Sequence, residues 1–325
     1  MANMTTGTDN LDAQFATYFS KELLEYITKS LQLVQFANKA PLPAKAGAKD
    51  IKWFRFDEPS TSAITTLSTE GGTSVTERAL TLEEVTAALV QYGQVISLTD
   101  ILQLTELFNH MEQAIKVTGQ DAALHADTIV RDKLCSNVTG KQTRMANGLA
   151  DYAAVNSANA ADATVEFNDL LDCATQLNQN NTSKIGGSFI AVASPEVISD
   201  LMKTSGWQNA ASYSAVEQLF SGEVGRLWGN RVISSTNGFL SDGSTQHAYD
   251  ASGTIHSTLV LGANAYGVTD IAAQSPYSPK VMIADGADKS DPLNQLTKIS
   301  YKSYYAAAVL QPKYYVEMYS KTAFA

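Results

Sequence analysis

TDILQLTELFNHMEQAIKVTGQDAALHADTIVRDKLCSN, residues 99–137, carries one apolar stripe along its length. Ile101, Leu104, Phe108, Met111 and Ile115 recur at alternating spacings of three and four, and Ala122, Ala126, Ile129 and Val130 continue the row. That spacing predicts one helix, with Thr99 or Asp100 as N-cap and Gln103 in the capping-box position. Gly119 inside it costs about 1 kcal/mol relative to Ala and allows a bend. At 1.5 Å per residue the segment would reach roughly 55 Å. A compact chain of this length has a radius of gyration near ~20 Å. Such a helix would cross the whole subunit, so an elongated or flat shape is expected.

Working outward toward the N-terminus, residues 49–98 read as a long hairpin. Asp50–Phe56 is a strand with apolar groups on both faces, and Leu80–Leu98 is its partner, with Glu83-Glu84 breaking the period as a possible bulge. The connection Glu58–Thr76 is rich in Ser and Thr, with Gly71-Gly72 near its end. A lone two-stranded hairpin is marginal in water, so this one needs a surface to lie on. Before it, residues 1–48 form an arm. Phe15, Tyr18, Phe19, Leu23, Leu24, Ile27, Leu31 and Val34 have helical spacing, ended by Pro41 and Pro43.

Beyond the helix, residues 138–163 are a polar, Ala/Asn-rich excursion with weak pattern. Val165–Leu177 predicts a short helix and Phe189–Ala193 a buried strand. Ser194-Pro195-Glu196 opens another helix, with Ser as cap and Pro at its first position. Val232–Ser235 and Thr258–Gly262 are further strands, with a loop and helix over Trp207–Phe220 between them. Leu296–Phe324 alternates and carries Tyr301, Tyr304, Tyr305, Tyr314, Tyr315 and Tyr319, which read as sheet core combined with subunit interface. The fold class is α+β, divided as 1–48, 49–98, 99–164, 165–290 and 291–325. No internal repeat and no domain-scale linker interrupts it.

Apolar residues make up 44% of the chain and charged residues 17%, too little charge for general disorder and enough neutral surface for burial against partners. The net charge of −10 gives no global attraction to nucleic acid or anionic membrane. Cys135 and Cys173 allow one disulfide, but helix-like settings favour two reduced, buried thiols. Met1–Asn10 has no signal-peptide pattern, and the longest apolar run, Tyr304–Leu310, is far short of the roughly 20 residues of a membrane span. A soluble, cytoplasmically made product is expected.

Catalytic signatures are not met. No glycine stands five places before Gly140-Lys141, so the usual phosphate loop fails, and Gly222, Gly225 and Gly229 have the wrong spacing for a dinucleotide turn. There is no G-x-S-x-G elbow, and His110, His125, His247 and His256 form no H-E-x-x-H; they read as packed or helix-surface histidines. Asp285, Asp288 and Asp291 surround Gly286 without the order of a calcium loop, so a solvated turn is the expectation. Lys39, Lys45, Lys49, Lys52 and Arg55 are scattered at the hairpin root and form no basic block. No catalytic, metal or cofactor-binding residue is assigned.

Several short stretches resemble one family. They include Gln35-Phe36-Ala37-Asn38-Lys39, Lys52-Trp53-Phe54-Arg55-Phe56, Thr69-Glu70-Gly71, Gln91-Tyr92-Gly93, Asp127-Thr128-Ile129-Val130-Arg131-Asp132, Glu217-Gln218-Leu219-Phe220, Ala265-Tyr266-Gly267-Val268-Thr269 and Asp291-Pro292-Leu293-Asn294-Gln295. In their order they resemble the N-four-like family of tailed-bacteriophage major capsid proteins, which has the Hong Kong 97-type capsid fold. The resemblance implies an N-terminal arm, an extended hairpin loop, a spine helix in a peripheral domain, an α/β axial domain and return strands. It further implies hexamers and pentamers of an icosahedral shell around double-stranded DNA bound without sequence recognition. Scaffolding, portal and decoration proteins would be further partners; no membrane, cofactor or metal is involved. The location would be the virion, after assembly in the host bacterial cytoplasm. The shell of a cellular nanocompartment with the same fold is the alternative, and a soluble α/β enzyme a distant one. Arm and hairpin would lie across neighbours, making Phe15, Tyr18, Leu23, Phe36, Trp53, Phe54, Phe56, Glu70 and Tyr92 the candidate inter-subunit contacts.

Overall fold

A computed structural model describes residues 32–41, 49–56, 79–105, 110–204, 223–227, 229–242, 245–270, 280–284, 293 and 295–323. The first half holds β1 (Asn38–Ala40), β2 (Asp50–Phe56), β3 (Leu82–Ala88), β4 (Val90–Thr99), α1 (Asp100–Thr105), α2 (His110–Cys135), β5 (Gln142–Met145), α3 (Tyr152–Ser157) and α4 (Phe167–Gln179). Then come β6 (Phe189–Ala193), α5 (Pro195–Lys203), β7 (Glu223–Leu227), β8 (Asn230–Ser234), β9 (Phe239–Ser241) and β10 (Ile255–Leu261). The chain closes with β11 (Tyr266–Thr269), β12 (Lys280–Ala284), β13 (Leu296–Tyr305), β14 (Ala307–Val309) and β15 (Tyr315–Ser320).

Every residue of β6, β10 and β15 is buried, as strands covered on both faces must be. They lie at the middle of a seven-stranded sheet ordered β5-β15-β10-β6-β8-β7, with β9 also pairing β10. Alternation sends their side chains to two different cores. Phe189, Ala191, Val260, Val316 and Met318 join Leu170, Cys173 and Leu177 of α4 and Val197, Ile198 and Leu201 of α5. Ile190, Val192, Leu259, Leu261 and Tyr315 join Ile115, Ala126, Val130 and Leu134 of α2. The sheet is therefore sandwiched, with the spine helix on one face. The two thiols are free and belong to the two separate cores, as the reduced-cysteine reading expects.

A second, three-stranded sheet, β12-β13-β4, packs its Ile299, Tyr301 and Leu98 into the α2 core. A third, β1-β11-β14, carries the arm exit, with β1 parallel to β11. The segment 291–325 is thus shared: β13 runs antiparallel to β4 over ten residue pairs, whereas β15 lies between β10 and β5 in the seven-stranded sheet. Tyr301, Tyr305, Tyr315 and Tyr319 are core residues of this chain, and Tyr304 and Tyr314 are only partly buried.

Some expectations are met and others need correction. The helix over 99–137 is described as α1 and α2, and residues 106–109 lie outside the described residues. The 26 residues of α2 reach about 39 Å. Thr99 is the N-cap of α1, its Oγ1 accepting the Leu102 N–H at 3.3 Å. The second hairpin strand is not continuous from 80 to 98: it breaks at Leu89, whose N–H reaches Lys49 O, after which β4 leaves for β13. Glu83 and Glu84 make no bulge; the β2–β3 register is unbroken through both. The 138–163 excursion is structured, contributing β5 beside β15 and α3 capped by the Asp151 carboxylate. Ser194 stands at the N-cap of α5 but makes no side-chain cap; its Oγ meets His256 Nδ1 at 2.8 Å. Residues 1–31, the 57–78 connection, Trp207–Phe220 and the Asp285–Asp291 loop lie outside the described residues.

Candidate assembly surface

The hairpin β2–β3 has two unlike faces. Ile51 and Trp53 of β2 and Ala87 of β3 turn inward onto Ala306 and Leu310. Trp53 lies so close over β11 that a Cβ on Gly267 would sit 2.6 Å from its ring. Arg55, on the same face, donates from Nη1 to Leu310 O at 2.8 Å and pairs with Glu83. The opposite face presents Phe54, Phe56 and Leu82 at 59%, 64% and 52% exposure, with Leu80 just beyond. Phe56 stands opposite Leu82 in register, and Lys52 pairs with Glu84 beside them. A strand face turned to water is normally polar; this one carries two aromatic rings and a leucine.

Of the sequence-derived contacts, Phe54 and Phe56 are exposed and Trp53 is not: its inward alternation places it in the core of its own chain. Phe36 and Tyr92 likewise pack against their own core, Tyr92 edge-on to His125 with centroids 4.7 Å apart. Phe15, Tyr18, Leu23 and Glu70 lie outside the described residues. Sequence reasoning missed Val95, Ile101 and Leu104, which are 61%, 69% and 87% exposed. Ile101 and Leu104 belong to the apolar stripe, whose spacing alone does not say what covers it.

Three polar anchors fix these parts to the spine helix. The Asp127 carboxylate of α2 accepts the N–H groups of Gln32 at 2.7 Å and Val34 at 3.2 Å. Tyr266 donates to Leu33 O at 2.6 Å, so the arm exit is gripped from both sides. Burial pushes the Asp127 pKa up despite those backbone donors. Further along α2, buried Arg131 bonds Asp132 and Asn237 and stacks on Tyr249 at 4.2 Å, holding the β8–β9 turn and the loop after β9. At the helix end, Lys141 Nζ donates to Cys135 O, the last carbonyl of α2, and to Ser136 O just beyond it, and pairs with Glu317 of β15. Ser257 and Tyr319 hydroxyls complete the Glu317 carboxylate at 2.6 and 2.8 Å. Burial, then Glu317, raises the Cys135 thiol well above its usual pKa; burial chiefly lifts Cys173 to about 12.

This arrangement has the chemistry of a frame. Ser194 and His256 touch, yet both are buried at a helix–sheet contact, and burial lowers the histidine pKa. Among the described residues no group of three His, Cys, Asp or Glu is placed to hold a metal, and no helix is long and apolar enough to cross a membrane.

A spine helix, a two-stranded hairpin, an α/β body and returning strands together define the Hong Kong 97-type capsid fold, and solved capsids share it. The Cyanophage Pam1 capsid subunit superposes with a TM-score of 0.65 at 12% identity, over 92% of this chain and 93% of that one. The capsid of Cyanophage P-SCSP1u gives 0.63 at 17% identity, over 89% and 87%. A virus-like particle from Pyrococcus furiosus gives 0.54 at 10%, over 93% and 98%. No curated protein sequence matches the chain. The sequence model of the family described as Phage capsid protein matches residues 82–317, so the chain belongs to the phage capsid protein family. It is a structural protein of the virion shell, not an enzyme.

Proposed function

We propose that this chain is the major capsid protein of a tailed phage, of the N-four-like branch, forming hexamers and pentamers of an icosahedral head. The head encloses double-stranded DNA without reading its sequence, and is assembled in the host bacterial cytoplasm with scaffolding, portal and decoration proteins as further partners. The observation that carries this reading is the family match over 82–317, joined to a hairpin whose outer face is left apolar. The domain division follows: 1–48 as arm, 49–98 as extended loop, 99–164 as spine and peripheral domain, 165–290 as axial domain and 291–325 as return strands. Fully burying one Phe side chain contributes roughly 1.5–3 kcal/mol. Phe54 and Phe56 are each more than half exposed, so closing a neighbour over both contributes about 2–3 kcal/mol per copy. Repetition around a closed shell makes such modest contacts sufficient. The net charge of −10 suits a wall that encloses phosphates without trapping them.

Electron microscopy of particles purified from infected or expressing cells tests this directly. Closed shells with five- and sixfold units, holding nuclease-protected DNA when packaged, are expected. Particles filled with a protein cargo and free of DNA would shift the reading to a nanocompartment. A chain that stays monomeric at all concentrations overturns it.

A further inference from the structure

Asparagine followed by glycine occurs twice in the chain, at Asn147-Gly148 and Asn237-Gly238, and the fold treats the two pairs oppositely. Asn237 is partly buried in the turn between β8 and β9. Its carboxamide oxygen accepts from Arg131 Nη1 at 2.7 Å, and its nitrogen donates to Thr128 Oγ1 at 3.1 Å. Gly238 is packed as well, since a Cβ there would stand 3.2 Å from the Ser194 Cβ. Asn147 is exposed, in a short turn just after β5. Its carboxamide makes one hydrogen bond among the described residues, from Nδ2 to Asp162 O at 3.1 Å. Its φ of 54° is left-handed, and Gly148 follows at φ +66° with nothing within 4 Å of where a Cβ would stand. A glycine in open space resists backbone rotation least.

An asparagine side chain so placed is an electrophile for the next peptide nitrogen. We infer that Asn147 is a self-modification site, converted without an enzyme to aspartate and isoaspartate, and that the conversion frees the 146–163 excursion from α4. The Gly148 nitrogen loses its proton to solvent base and attacks the Asn147 side-chain carbonyl carbon. A C–N bond forms there, the bond to the carboxamide nitrogen breaks, and ammonia leaves. Water then opens the cyclic imide: cleavage at the side-chain carbonyl leaves aspartate, and cleavage at the backbone carbonyl leaves isoaspartate, with one extra methylene in the main chain. Water is consumed, ammonia is released, and nothing is oxidised or reduced. The consequence follows from what Asn147 holds. Its N–H donates to Asp169 Oδ2 at 3.0 Å, the oxygen that also accepts the Glu166 N–H at 2.8 Å at the start of α4. Burial chiefly, then the Glu166 and Asp172 charges, raise the Asp169 pKa, so this carboxylate is already crowded. A carboxylate at 147 adds a like charge beside it and loses the donor that held Asp162 O. The longer isoaspartate backbone also draws the N–H away from Asp169.

The test incubates the purified full chain in mildly alkaline buffer, native and in guanidinium, and follows it by peptide mapping with a protein isoaspartyl methyltransferase as probe. In the native chain, aspartate and isoaspartate should appear at 147 about tenfold or more faster than at 237, because Asn237 must first give up its side-chain hydrogen bonds. In guanidinium the two sites should react at similar rates, since the fold no longer separates them. Both rates should rise with pH, because the attacking nitrogen must be deprotonated. Equal native rates at the two sites overturn the assignment, as does a native Asn147 that stays intact while the unfolded one reacts. N147D, a mimic of one product, tests the consequence. Amide exchange at Glu166 and across 148–163 should quicken about threefold or more, with the amides of β6 and β10 unchanged, which separates local release from misfolding. An N147D chain whose exchange over 148–166 matches the unaltered one overturns the release.

Discussion

Lys141→Met removes one partner of an ion pair that is almost wholly out of water, with side-chain exposures of 3% for Lys141 and 0% for Glu317. Breaking such a pair leaves the other charge buried and costs about 3–5 kcal/mol. Ser257 and Tyr319 still donate to Glu317, which places the expected loss toward the lower end of that range. Lys141 also satisfies the last carbonyl of α2 and that of Ser136 just beyond it, so the cost includes uncapping the spine helix. For a chain of 325 residues the loss amounts to roughly 4–7 °C in Tm. The assay is thermal unfolding of purified, unassembled protein, followed by far-ultraviolet circular dichroism beside the unaltered chain. The double variant K141M/E317L removes both charges and should recover at least about half of the loss, since apolar replacement of a buried pair is often neutral. It does not recover everything, because the helix end stays uncapped. A single-variant cost near ~0.5 kcal/mol, typical of a surface change, refutes the reasoning. So does a double variant worse than the two singles combined.

Other sites give sharper local tests. Gly267→Ala puts a methyl into the Trp53 ring, so the hairpin root must shift; a loss of about 1–3 kcal/mol with a changed tryptophan emission is expected. Asp200 accepts the Thr322 hydroxyl and Ala323 N–H, each at 2.7 Å; burial pushes its carboxyl up, but these donors and Lys203 outweigh burial and hold it below the usual range. A depressed carboxylate contributes stability above its ordinary pKa and loses it as pH falls through the folded value. The C-terminal tail should therefore loosen only in strong acid, seen as faster amide exchange at Ala323, and D200N should remove that pH step. Cys135 and Cys173, both buried with raised pKa, should resist alkylation in the native chain and react quickly in guanidinium, as counted by mass spectrometry.

The order of parts was legible in the sequence because each part carries its own period or composition. The β2–β3 pairing, the buried strand at Phe189–Ala193 and the spine stripe from Met111 to Val130 follow from side-chain alternation and helical spacing alone. Periodicity does not say which of two faces a partner covers. Trp53 and Phe54 are neighbours of equal apolarity, and only the position of Gly267 across the fold decides that the first is core and the second is surface. The 80–98 strand read as continuous because both halves alternate; its transfer at Leu89 from β2 to β13 depends on a partner more than two hundred residues away. The 138–163 segment hid β5 because its pattern, Gln142-Thr143-Arg144-Met145, is polar, and its pairing comes from lying beside β15. The buried Lys141–Glu317 pair left no trace for the same reason: the partners are far apart in sequence, and each alone looks like a surface charge.

The measurement that bears most directly on the shell is sedimentation velocity of the F54D/F56D variant beside the unaltered chain. Charges on the outward face of β2 leave the subunit core untouched, so a folded species with native-like circular dichroism is predicted, sedimenting as subunits or small capsomers with no closed particles. Normal yields of closed shells from that variant would show that the exposed rings have no partner, and that the frame is held together elsewhere.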